Sequence, residues 1–444
     1  MKISISAGLI FLPFFLSAQT LEELGKQRVE FDETPGIAIA WIENGQSHFL
    51  SCGLANIASK EPVTSKTLFE IGSITKTFTC SVLSYLVQQH ELALNDRVQL
   101  YLPSTIQLPE KNGKSISLLH LATAHSGLPR LPGNLSPADP TNPYIDYTEK
   151  QLTAYLNNCE LGNEPGSNYE YSNLGMGLLG FVLTQKKNET YSQLIKLIIL
   201  KPLAMNQTFI SGETKSKLLA TGYMDKNPVK AWTWNSQSVI TGAGGIMSNS
   251  EDMLLYVTAQ MATDKSILTA AFHEAHKERS DAGSQSMQIG LGWHIRDHQY
   301  VWHNGGTGGF RSFVGFDPEK KRAIVILTNS TNGADDLGFH WLDNSYELKS
   351  IRKPLVLDLI KIKEYEGVYE INPTFKVVIT SKGTGLFVQA TNQSKVTMYA
   401  DDVDKFFLKV AEVKIQFGRN AEGKIEKISI FQNGIEQVGK KVPQ

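Results

Sequence analysis

The chain has 444 residues, enough for one large domain plus a small one. Its Lys and Arg (43) and Asp and Glu (44) cancel to a formal charge of −1, which argues against the basic footprint of a nucleic-acid binder. Three cysteines, Cys52, Cys80 and Cys159, are too few and too far apart for a disulfide framework or a close-spaced metal site.

Taken in order, the chain opens with Lys2 and a mostly apolar run, Ile3 to Leu16. Small residues follow at Ser17 and Ala18. That pattern predicts a cleaved signal peptide over 1–18 and a secreted or periplasmic protein, with no later segment long enough to span a bilayer. Gly36 to Ile42 is an apolar, β-branched run, and Asn44-Gly45 separates it from a second run ending at Cys52, so a hairpin is expected. Thr67 to Ile71 leads into Gly72 and Ser73. Ile74, Phe78, Val82, Leu83, Leu86 and Val87 then recur at helical spacing, which puts Ser73 at a helix N-terminus.

The stretch 115–280 reads as helix-rich, broken at Gly127-Leu128-Pro129 and Glu164-Pro165-Gly166. Within it His273-Glu274-Ala275-His276 spaces its histidines three apart rather than the four of a zinc motif, and is expected to be a solvated helix face. Four strand-like runs follow, Ile289–Ile295, Gln299–His303, Phe310–Phe316 and Arg322–Thr328. After a linker at 346–361 come short strands at Val377–Thr380, Leu386–Ala390, Val396–Tyr399, Lys405–Val410, Val413–Phe417 and Lys427–Phe431. The expected fold is α/β of the α+β kind. It has an antiparallel sheet flanked by helices and an all-helical subdomain over 19–345, then a small all-β barrel over 362–444.

The chemistry begins at Ser73-Ile74-Thr75-Lys76. Residues three apart on a helix share a face, so Lys76 reaches the Ser73 hydroxyl, and a serine needs such a base to become nucleophilic. The pattern alone is weak, and a second copy at Ser350–Lys353 runs into Pro354 without a preceding strand. Two further elements raise its weight. Tyr171-Ser172-Asn173 follows Pro165-Gly166 and aims a phenol and an amide from one turn. His303-Asn304-Gly305-Gly306 ends a strand, with glycines that would let a ligand approach the strand edge.

Together these segments resemble the serine β-lactamase and penicillin-binding-protein superfamily, in its class C-like branch. Ile71 to Thr79, Leu121 to Pro129, Gly242 to Ser248 with Glu251-Asp252-Met253, and the Tyr-x-Asn turn all match it. The tail resembles a lipocalin-like β domain. The resemblance implies Ser73 as nucleophile, Lys76 and Tyr171 as proton-transfer partners, and Asn173 as a holder of a substrate amide. It puts His303, Asn304 and Gly305 at the substrate and the backbone N–H groups of Ser73 and Gly306 in the oxyanion hole. It implies a small-molecule or peptide substrate, no cofactor and no metal. The family usually has lysine where this chain has His303, which shifts weight from β-lactams toward esters, amides or D-amino peptides. A competing reading is a slow or dead site on the same fold, serving as a binding protein. The complete Ser/Lys/Tyr set argues for the enzyme.

Overall fold

The computed structural model describes residues 19–443, apart from 214–215, 235–238, 394, 410, 412 and 433–434. The expected signal segment, 1–18, lies outside the described residues.

The Asn44-Gly45 turn has φ of 52° and 74° at its two residues, the left-handed pair that a tight hairpin turn demands. It joins strands Gly36–Glu43 and Gln46–Asn56, with Ile42 opposite Ser47. Gly36–Glu43 also pairs antiparallel with Arg322–Thr328, which brings the two ends of the large unit side by side. This strand is buried on both faces. Ile37, Ile39 and Trp41 pack under the helices Leu21–Glu30 and Asp335–Leu342, and Ala38, Ala40 and Ile42 under the opposite helical layer. The result is a nine-stranded sheet between helices.

The expected strand Ile289–Ile295 is two strands, Met287–Ile289 and His294–Arg296. Gly292 between them has φ +70°, and a Cβ on Gly290 would stand 2.3 Å from the Ala275 carbonyl oxygen. The chain therefore turns there, burying Leu291 and Trp293. The helix Thr75–Gln88 runs through the core. Two of its buried hydroxyls bond locally, Thr77 Oγ1 to Ile74 O and Ser81 Oγ to Thr77 O, each at 2.8 Å, while Ser84 Oγ donates to Ala271 O at 2.7 Å.

His276 corrects one expectation. It caps the helix Ile267–Ala275 but turns inward, its ring 4.9 Å from that of Phe316 and 5.8 Å from that of Trp293, and it bonds Gln260 Oε1 at 2.9 Å. Of the expected solvated face, only His273 is exposed among the histidines.

Among the described residues the tail closes into an eight-stranded barrel, from Gly367–Asn372 round to Ile435–Lys441. Tyr369, Val377, Ile379, Leu386, Phe406, Ile415, Phe417 and Ile428 fill it, and the helix Leu359–Tyr365 adds Ile362 and Tyr365. That helix starts inside the stretch expected as linker. The barrel meets the large unit through polar contacts. Lys409 Nζ lies 3.1 Å from Glu33 and 2.6 Å from Phe31 O, while the linker meets the barrel where Arg352 pairs with Asp401 and Leu355 N bonds Ala400 O at 2.8 Å. Among the described residues no helix is long and apolar enough to cross a membrane.

Candidate active site

Ser73 sits where a strand becomes a helix. Phe69–Glu70 pairs with Ile246–Ser248, a single 3-10 turn spans Gly72–Ile74, and the helix Thr75–Gln88 follows at once. Gly72 has φ +50°, and a Cβ there would come within 2.7 Å of Gly306 N. Glycine alone lets the Ser73 turn and the end of the strand Tyr300–Gly306 touch through their backbones.

Lys76 Nζ donates to Ser73 Oγ at 3.0 Å and to Ala243 O at 2.7 Å. The side chain is only 2 % exposed, too little for water to solvate a full charge. Burial pushes its pKa below the usual lysine value; Tyr171 opposes the shift and Arg130 adds to it.

Tyr171 is held from both sides by the loop Ala124–Arg130. Glu170 N donates to Ala124 O at 2.7 Å, and Asn173 N donates to Arg130 O at 2.9 Å. Ser172 caps the helix Asn173–Lys187, accepting from Gly175 N at 2.8 Å and donating to Pro129 O at 2.6 Å. Two cations face the phenol ring: Lys76 Nζ at 4.8 Å and Arg130 Cζ at 5.1 Å from its centroid. Asn173 Oδ1 is buried without a hydrogen-bond partner among the described residues.

His303 is buried and stands across from Tyr171, ring centroids 6.4 Å apart. Its Nδ1 bonds Asn304 O at 2.6 Å. Burial, then His294 and Lys76, hold its pKa well below the ordinary histidine value, so it is a neutral imidazole. His294 lies 5.1 Å away, bonds Tyr169 Oη at 3.0 Å, and is itself pushed down to about 4 by burial.

Ser73, Lys76, Tyr171, His303 and Gly306 thus converge, and Asn173 adjoins them. Two expected substrate contacts do not. Alternation along the strand turns Asn304 away from His303, and its amide donates to Asp335 Oδ2 at 2.6 Å. Gly305 makes room for protein rather than ligand: a Cβ there would stand 2.0 Å from Ile71 O. The second S-x-x-K copy at Ser350–Lys353 has no helix to align it.

Sequence reasoning singled out the segment Gly242 to Ser248 but not the role of the Ala243 carbonyl, which holds the lysine, and it missed the Tyr169–His294 pair behind His303. It also missed Arg130 and the stacked Tyr144 and Trp234, with ring centroids 4.5 Å apart. A signal for Arg130 was at hand, one residue beyond Gly127-Leu128-Pro129. No local pattern marks a carbonyl such as that of Ala243.

The family model described as beta-lactamase matches residues 21–344, and one for a domain of unknown function, DUF3471, matches 358–441. A beta-lactamase of Pseudomonas fluorescens is 30% identical over 351 residues, covering 70% of this chain and 91% of that protein. The D-alanyl-D-alanine-carboxypeptidase/endopeptidase AmpH of Escherichia coli (strain K12) is 27% identical over 313 residues, covering 66% of this chain and 80% of that one. The structure of an octameric penicillin-binding protein homologue from Pyrococcus abyssi superposes with a TM-score of 0.64 at 22% identity, covering 94% of this chain and 99% of that one. The chain belongs to the beta-lactamase family, within the serine β-lactamase and penicillin-binding-protein superfamily. It is a serine hydrolase of that family.

Proposed function

We propose that this is an exported acyl-transfer hydrolase that forms a covalent acyl-Ser73 intermediate on an ester, amide or D-amino peptide. The observation that carries the reading is the 3.0 Å approach of a buried Lys76 amine to the Ser73 hydroxyl. A desolvated amine is a stronger candidate base than an exposed one, because burial favours its neutral form.

Lys76, with Tyr171 beside it, takes the proton from Ser73 Oγ as that oxygen bonds to the substrate carbonyl carbon. The carbonyl π electrons move to its oxygen, and the N–H groups of Ser73 and Gly306 receive the negative charge. Collapse of this intermediate breaks the bond to the leaving alcohol or amine, which takes the proton through Tyr171. Water then attacks the acyl-serine with the same groups in reverse order, releasing the acid and restoring Ser73.

Asn173 Oδ1 accepts a substrate N–H. His303 contributes a neutral ring where a cation would anchor a carboxylate, which favours esters and D-amino peptides over β-lactams. Export rests on the signal-like segment, and the tail is proposed as a separate folding unit from about residue 358. Ser73→Ala tests the reading: it is expected to abolish labelling by a fluorophosphonate or fluorescent penicillin while Ser350→Ala labels as wild type. Labelling and turnover that survive Ser73→Ala overturn it.

A further inference from the structure

We propose that Arg130 is a specificity residue that binds a carboxylate carried on the acyl side of the substrate; this rests on the Ser73 reading above. Its backbone is fixed, since Arg130 O accepts from Asn173 N at 2.9 Å and Leu174 N at 3.2 Å. Its side chain is exposed, and its guanidinium stands 5.1 Å over the Tyr171 ring. So a cation is held over Tyr171, on a backbone bonded to that of Asn173, whose Oδ1 has no partner among the described residues.

No carboxylate pairs with Arg130 among the described residues, whereas the neighbouring cations are committed. Lys76 bonds Ser73 and Ala243 inside the site. Arg311 donates to Thr307 O at 3.0 Å and Phe310 O at 2.9 Å. Lys230 pairs with Asp139 at 2.7 Å. On the sheet side of Tyr171, His303 is buried and uncharged. The anion-binding capacity of the site therefore lies on the helical side, with Arg130. Because Arg130 and Asn173 share a backbone hydrogen bond, an acyl group whose amide reaches Asn173 brings its next substituents under the guanidinium. Tyr144, whose ring packs 5.4 Å from that of Trp232, adjoins Asn173 and supplies an apolar wall for the intervening carbons. The substrate class is an acid derivative with a second, distal carboxylate on the acyl group.

The test compares the full chain on two matched esters, mono-p-nitrophenyl adipate and p-nitrophenyl hexanoate, which differ only in the distal carboxylate. Wild type is expected to prefer the adipate in kcat/KM by about tenfold, the effect of one charge-assisted hydrogen bond at a solvent-screened site. High salt should shrink that ratio, Arg130→Lys should keep part of it, and Arg130→Gln should bring it near unity. No wild-type preference, or a ratio that survives Arg130→Gln, overturns the proposal, even if both esters slow together. Ser73→Ala separates the two readings. Ester turnover that persists in it condemns the nucleophile assignment, whereas Ser73-dependent turnover without an adipate preference condemns only the role of Arg130.

Discussion

Lys76 donates to Ser73 and to the carbonyl of Ala243 at once, so the amine is aimed by backbone as well as by its own helix. With burial favouring the neutral amine, activity should rise with pH through a pKa below the usual lysine value. Lys76→Ala and Tyr171→Phe are each expected to lower kcat by about two orders of magnitude or more. On the proposed shared proton transfer, the double variant should fall far short of the product of the two losses. Steady-state kinetics across pH on one ester decide this, and fully multiplicative losses count against a shared step.

His303 gives a different pH expectation. Its charge is held off by burial, and no acid figures among the groups acting on it. The ratio of carboxylate-substrate to neutral-ester turnover should therefore not show a step from His303 between about pH 5 and 8, where an exposed histidine would titrate. His303→Lys places a second amine in the buried space near Lys76, and a lowered Tm is expected, measured by thermal melt beside His303→Gln. An unchanged Tm in the lysine variant would show that the pocket solvates the charge.

Glu70 lies three residues before Ser73 and is buried. Burial pushes its pKa up to about 7, against contributions from Thr307 and the backbone of Trp232. The folded protein holds this proton more tightly than the unfolded chain does, so stability is lost as pH rises from 4.5 through about 7. The shift corresponds to roughly 3 kcal/mol. Glu70→Gln should remove that slope and be the more stable form at alkaline pH. Denaturant melts at several pH values test it, and parallel curves for the two proteins would refute it.

Lys409 and Glu33 join barrel and sheet unit as a pair nearly sealed from water, with side chains 2 % and 5 % exposed. Among the described residues, Lys409→Met leaves Glu33 with only Lys349, at 3.4 Å. A loss of about 3 kcal/mol is expected, the low end for removing one member of a buried pair. A chain ending at Ser350 should still fold and label at Ser73, because among the described residues the core of the large unit takes none from the barrel. Circular dichroism and probe labelling read the two outcomes separately.

Much of the fold was legible where one short signal decides a local shape. Asn44-Gly45 dictated its turn, and the apolar spacing after Ile74 dictated the helix. The tail strands Gly367–Asn372 and Ile435–Lys441 escaped because the barrel leaves their outer residues wet. Ile435–Lys441 buries only Gly439, so it has no alternation to read. In the site, residues whose side chains do chemistry in sequence-near pairs were visible. Asn304 misled because a motif names a position, while the pleat decides which side of the strand it faces.

The contact between Gly72, Gly305 and their partners has one more consequence. The Ser73 turn and the strand Tyr300–Gly306 meet through main chain, with Gly305 against Ile71 O and Gly72 against Gly306 N. Their separation is therefore independent of which side chains occupy positions 303 and 304. A histidine can stand at 303, and an asparagine at 304 can be turned wholly toward Asp335, without moving the N–H groups of Ser73 and Gly306, the proposed oxyanion site, apart. Such a seam lets a lineage exchange one substrate for another by single substitutions, because altering selectivity does not require rebuilding the catalytic frame.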